Sequence, residues 1–219
     1  MNRIYRTELL ILACCVAVLS VAAHIFTVFP FDLAISQDIR GIKNPAFAVL
    51  MQYVSIPGNG LIPVLMIGGV TILLALRRLY LMAYFMVLSA VSILAAALIK
   101  LLVGRPRPPS FVPNPTDLVF FVDRYSYPSG HVLFYVVFFG FVAYLSYCHL
   151  KTAKKWLIIS SCAALIVLIA PSRIYLGAHW ASDAIGSYFT GGLLLLILIV
   201  GYRTIGCREM KKTSKTEIE

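Results

Sequence analysis

Apolar residues run in long blocks along this chain, not in the short alternations of strands or the one-sided stripes of a soluble helix. Six blocks approach or exceed the ~20 residues a helix needs to cross a bilayer. They cover roughly residues 8–29, 58–76, 79–102, 130–149, 155–173 and 179–203. The second is the weakest, because Pro57, Gly58 and Pro63 interrupt it. Residues 30–56 carry Asp32, Asp38, Arg40 and Lys43, too polar a set to span, and read as an interfacial segment. Residues 204–219 are polar and read as an unstructured tail. The pattern predicts an all-α integral membrane protein with six transmembrane helices, forming one membrane-embedded domain over 1–219.

Composition strengthens this picture. The chain is 60% hydrophobic and 13% charged, where soluble domains carry about a quarter charged residues. A net charge of +10 in a soluble chain would suggest nucleic acid. In a membrane chain it places Lys and Arg on cytoplasmic loops, so membrane lipids and no nucleic acid are the expected partners. Arg3 and Arg6 precede the first block. That block is longer than the ~7–15 apolar residues of a signal peptide and ends at no clean cleavage site, so it reads as a retained anchor. With the N-terminus inside, 12 basic residues fall on inner segments and 7 on outer ones, out of the 19 present. The bias puts both termini in the cytoplasm and the chain in the cell (inner) membrane as a multi-pass protein. Five cysteines without paired spacing give neither a disulfide framework nor a metal motif. Nothing in the sequence speaks to oligomeric state.

Helix counting then brings chemistry together. Lys100 ends the third predicted helix, with Arg105 and Arg107 just beyond; Arg173 ends the fifth. The fourth begins at the turn Pro128-Ser129-Gly130-His131, and the sixth at His179. All of these lie on one face, the extracytoplasmic ends of helices 3–6. Three converging cations, Lys100, Arg107 and Arg173, with no matching carboxylates, call for an anion. Arginine forks fit phosphate oxygens two at a time, and lysine adds a point charge. Arg105 either joins these cations or, the preferred reading, faces lipid headgroups. A helix N-terminus offers free N–H groups to phosphate, and Gly130 allows close backbone approach. Ser129 is either an N-cap or a phosphate ligand. His179 and Asp183 are four apart and share a helix face. The carboxylate can hold one ring nitrogen, leaving the other as a nucleophile. His131 is a second histidine at the same site, and the residues alone do not rank the two. Asp117, Asp123 and Asp183 are few for a two-metal centre; fixed cations can stabilise charge instead. Metal-free chemistry without a cofactor is expected. His24 reads as packing and His149 lies on the opposite face, while Tyr127, Tyr175 and Trp180 suit an interfacial aromatic belt or, as the alternative, the lining of a lipid entrance.

These residues resemble the three-part signature of the type 2 phosphatidic acid phosphatase superfamily, which includes bacterial membrane lipid phosphatases and vanadium haloperoxidases. "KLLVGRPRP" is similar to its first element through Lys100, Arg107 and Pro108. "PSGH" covers the second, and "SRIYLGAHWASD" the third through Ser172, Arg173, His179 and Asp183. The motifs span 100–183. The resemblance implies that His179 forms a phosphohistidine, Asp183 orients it and His131 protonates the leaving oxygen. It also implies that Lys100, Arg107, Ser129, Gly130 and Arg173 hold the phosphoryl group. The expected activity is metal-independent hydrolysis of a phosphomonoester or pyrophosphate on a lipid of the undecaprenyl pyrophosphate, phosphatidylglycerophosphate or phosphatidate class. Within the superfamily, a lipid A phosphatase or phosphotransferase is the alternative. A haloperoxidase is disfavoured because those relatives are soluble. A transporter or channel with a basic vestibule would need charges near the bilayer midplane.

Overall fold

A computed structural model describes residues 3–111, 124–151 and 153–216. Among them the chain forms α1 (Arg3–Ile25), α2 (Pro30–Arg40), α3 (Pro45–Ser55), a 3-10 turn (Ile56–Gly58), α4 (Ile62–Leu76) and α5 (Tyr80–Leu88). It continues with α6 (Val91–Val103), α7 (Gly130–His149), α8 (Ala153–Tyr175) and α9 (Ala181–Thr216). No named strand occurs among the described residues.

Among the described residues, five helical stretches are long and apolar enough to span, or six if a bent pair counts as one. The pair is Pro45–Gly58 with Ile62–Leu76, bent by 61°. The expected second span is thus broken: α4 has 15 residues, about 22 Å of helix at 1.5 Å per residue, short of a ~30 Å hydrocarbon core. The Pro57-Gly58 step makes the break. The segment 30–56, expected as an interfacial stretch, holds two helices with ordinary start signals. Pro45 opens α3, and the Asn44 side chain accepts hydrogen bonds from the N–H groups of Ala46 (2.9 Å) and Phe47 (3.2 Å). The third span, Tyr80–Val103, is interrupted at Ser89 and Ala90. There the hydroxyls of Ser89 and Ser92 donate to the carbonyls of Met86 (2.6 Å) and Ser89 (2.8 Å), so the interrupted ladder keeps its carbonyls bonded. The polar tail is a correction: α9 continues through it to Thr216. Beyond Gly206 the tail contains neither Gly nor Pro, and its Arg, Glu, Met and Lys residues favour helix.

α7 is apolar on every side and is correspondingly the buried centre. It packs against α8, α9, α6 and α5. Phe134, Phe138 and Phe141 fill this core with Phe85, Met86, Ile169 and Leu198. α1 lies outside, against α9 and α6. The core therefore fixes one end of α7 against the ends of α6 and α8 and the start of α9.

Candidate active site

Four chain segments meet at that end. Gly104 adopts φ +66° after α6, and its N–H returns to the Lys100 carbonyl at 2.9 Å, a left-handed cap that turns the chain out of the helix. The outgoing strand is clipped to the returning one. Pro106 bridges Tyr125, and Ser126 N–H donates to Arg105 O at 2.8 Å. This clip brings the Ser126 carbonyl to His179, whose Nδ1–H donates to it at 2.8 Å.

That bond decides the tautomer. A carbonyl can only accept, so Nδ1 carries the hydrogen and Nε2 keeps its lone pair. Nε2 faces Arg107 Nη1 at 3.4 Å, and the same nitrogen of Arg107 donates to Ala178 O at 2.8 Å. His179 is 2% exposed. Burial, and then the charges of Arg107, Arg173, Lys100 and His131, hold its pKa well below the usual histidine range. The charges of these four basic groups therefore all reach one imidazole, with Arg107 in contact with it. Arg173 is tied to Ser55 Oγ at 2.6 Å. His131 Nε2 lies 2.8 Å from Asn59 Oδ1. Its ring packs so closely on Gly58 that a Cβ there would sit 2.3 Å from His131 Cδ2.

At the α7 N-terminus the Ser129 side chain makes no capping bond. Its hydroxyl is buried without a hydrogen-bond partner, while its N–H donates to Ser187 Oγ at 2.7 Å. A Cβ on Gly130 would meet only Ala96 Cβ, at 3.8 Å, so the described protein neighbours do not require glycine there.

Asp183 stands differently from the sequence expectation. Its Oδ2 is 3.7 Å from His179 Nδ1, too long for a hydrogen bond. Oδ2 instead accepts the Trp180 N–H at 2.9 Å, and Oδ1 accepts Arg105 Nη1 at 2.5 Å. Arg105 is a second correction. It faces no headgroups: it is 1% exposed and pairs with Asp183 and, through Nη2, with Asp32 at 2.8 Å. Tyr127 and Trp180, 1% and 5% exposed, are buried too and form no surface belt. The Nδ1 of His24 lies 2.9 Å from Val103 O. His149, at the far end of α7, meets Tyr202. Asp117 and Asp123 lie outside the described residues.

Sequence reasoning missed Ser126, whose contribution is a backbone carbonyl and so leaves no trace in residue type. It missed Asn59 and Ser55, small polar residues in an apolar setting. It missed Asp32, which looked like one more charge in a polar stretch. Two cavities adjoin the site. One, of about 680 Å³, is lined by Tyr53, Ser55, Ile56, Asn59 and Arg173 among others. The other, of about 560 Å³, is lined by Arg40, Ser110, Gly177, His179 and Trp180 among others.

Comparison with known proteins places the chain in a family. Residues 78–206 match the model of the PAP2 superfamily. Phosphatidylglycerophosphatase B of Bacillus subtilis (strain 168) is 27% identical over 189 residues, covering 84% of this chain and 89% of that protein. An undecaprenyl-diphosphatase of Sulfolobus acidocaldarius is 31% identical over 136 residues, covering 58% of this chain and 59% of that protein. In fold, the chain is similar to the crystal structure of a transmembrane PAP2 type phosphatidylglycerolphosphate phosphatase from Bacillus subtilis. The TM-score is 0.73 at 24% identity, over 90% of this chain and 97% of that one. With the motif residues gathered around one buried histidine and the family model covering more than half its length, the chain belongs to the PAP2 superfamily, as a membrane-spanning hydrolase of phosphate esters or diphosphates.

Proposed function

We propose that the chain removes a phosphoryl group from a membrane lipid through a phosphohistidine at His179, without a metal. The observation that carries this reading is the His179 imidazole: Nδ1–H is fixed on the Ser126 carbonyl, and the Nε2 lone pair is held among four basic groups. Nε2 attacks phosphorus, and the bond to the leaving oxygen breaks as His131 gives that oxygen a proton. Water then attacks the phosphohistidine, with His131 taking the water proton, and releases phosphate. Lys100, Arg107 and Arg173 stabilise the charge on the phosphoryl oxygens as it develops. The unpartnered Ser129 hydroxyl and the Gly130 N–H are further donors at the same helix end. Asp32 and Asp183 are both engaged by Arg105, and fixed cations take the place a divalent ion would otherwise fill.

A lipid-borne substrate is supported by the larger cavity, whose rim includes Tyr53 and Ile56, 67% and 41% exposed. The two relatives' names point to phosphatidylglycerophosphate and undecaprenyl diphosphate as first substrates to try. The basic-residue bias supports an active site facing the outside or periplasm, with both termini in the cytoplasm. The deciding experiment is phosphate release by purified protein from these two lipids and phosphatidate, with excess EDTA. Release from at least one lipid without added metal is expected. Loss of all release, restored by magnesium, contradicts the metal-free mechanism.

A further inference from the structure

The family match begins at residue 78, yet the carboxylate that completes the buried cluster comes from α2, far upstream. Asp32 is fully buried, and so is Arg105, at 0% and 1% exposure. Asp32 Oδ2 accepts Arg105 Nη2 (2.8 Å), Ser182 Oγ (2.7 Å) and Phe29 N–H (3.1 Å); Oδ1 accepts Ser182 N–H at 2.8 Å. Arg105 is fixed on its other sides by Thr27 O (3.0 Å, from Nε), by Ser182 Oγ (2.7 Å) and by Asp183 Oδ1 (2.5 Å), both from Nη1.

The geometry forms a chain. Asp32 grips both the guanidinium and the first turn of α9 at Ser182. The guanidinium in turn holds Oδ1 of Asp183, whose Oδ2 faces the His179 ring at 3.7 Å. A fork with a rigid plane transmits orientation from one carboxylate to the other in a way a single point charge does not. The charge count matters as well. One arginine shared between two carboxylates leaves Asp183 less than fully neutralised. The three groups together therefore keep one net negative charge beside an imidazole that becomes cationic on phosphorylation. A single Arg105–Asp183 pair would cancel that charge.

We propose that Asp32 is a positioning residue for the phosphoryl-transfer site, acting through Arg105 on Asp183 and so on His179. The inference rests on the assignment of His179 as nucleophile, and it brings α2 into the catalytic apparatus. Asp32 touches neither the phosphate-holding cations nor His179, so its removal acts on turnover and not on substrate binding.

The test is Asp32→Asn, alone and combined with Asp183→Asn, in folded, monodisperse detergent-purified protein assayed on a lipid phosphate. Asp32→Asn is expected to lower kcat by about 10- to 100-fold with KM within about twofold. Added to Asp183→Asn it is expected to lower kcat hardly further, because both changes break one chain. Additive losses, or a lowered unfolding temperature with wild-type kcat, mean a purely structural ion pair and overturn the proposal. Should Asp32→Asn not yield folded protein, Arg105→Lys replaces it. That variant keeps the charge but cannot bridge both carboxylates, and the same kcat loss is expected; a folded Arg105→Lys with wild-type kcat overturns the proposal. His179→Ala separates the two levels. If it retains turnover, the nucleophile assignment fails; if it is inactive while Asp32→Asn is unaffected, only the Asp32 inference fails.

Discussion

The buried Ser129 hydroxyl has no partner within the described protein, so its removal leaves nothing unsatisfied in the fold. Ser129→Ala should leave stability unchanged or raise it, because a buried unpaired hydroxyl carries a desolvation cost. If the hydroxyl donates to a charged phosphoryl oxygen, a bond of about 1.5–3 kcal/mol is lost and activity falls roughly 10- to 100-fold. Thermal unfolding and kcat/KM on one preparation separate the two effects. The histidines divide by leaving group. His179→Ala should abolish turnover of both lipid phosphate and nitrophenyl phosphate. His131→Ala should lose ~10²–10⁴-fold on the lipid and much less on nitrophenyl phosphate, whose leaving group needs little protonation. Equal losses on both substrates would make His131 a phosphate ligand instead. The depressed pKa of His179 sets a pH signature. Attack needs the neutral ring, so the acid limb of kcat/KM that reports this group should lie well below the ordinary histidine value of ~6.5. Stability has the same direction: the unfolded chain binds a proton that the folded one refuses, so this contribution is present above about 6.5 and is lost as pH falls below it. At this scale the sequence shows which side chains carry charge and that two histidines stand at the same set of helix ends, without ranking the two. It does not show that Ser126 offers a carbonyl or that Arg105 turns inward between two carboxylates.

Helix ends, not helix bodies, supply most of the candidate site's side chains, and their local signals behave as separable parts. Asn44 caps α3 away from the reacting groups; Asn44→Ala should cost about 1 kcal/mol of stability with kcat/KM on the lipid retained. Gly104 sits at φ +66° between Lys100 and Arg107. A side chain there favours the right-handed region by roughly 1–2 kcal/mol. Gly104→Ala should therefore lower stability by that order and also lower kcat/KM, since the turn sets the angle between Lys100 and Arg107, the two residues proposed to hold phosphate. Stability and kcat/KM measured on both variants check the pair: activity unchanged in Gly104→Ala would detach the turn from the site. Five long spans were readable from apolar block length alone. The second was less so, because Pro57 and Gly58 break the chain in a way that composition averages over. The fate of Asp32 was hidden for a related reason. A carboxylate in a polar-looking segment gives no sign that Arg105, more than seventy residues later, will bury it.

As a whole the molecule is a bundle around α7 with its candidate site residues gathered at one end, and the bias of 12 basic residues to 7 supports that end lying outside. In a background with the native cysteines replaced, a cysteine at exposed Lys43 should react with a membrane-impermeant maleimide in intact cells. One at exposed Lys151 should react only after permeabilisation. The opposite pattern inverts the topology. The membrane class and the convergence of the motifs were legible because hydrophobic blocks, helix parity and charge position are all linear features. The network joining α2 to α9 was not, being a product of three-dimensional packing. The most direct test of the central claim is rapid acid-free quenching of purified protein turning over radiolabelled lipid phosphate in EDTA, followed by peptide mapping. The account predicts a base-stable, acid-labile phosphoryl group on His179, absent from His179→Ala, which should also release no phosphate. Steady phosphate release by His179→Ala, or label on another residue, would contradict it.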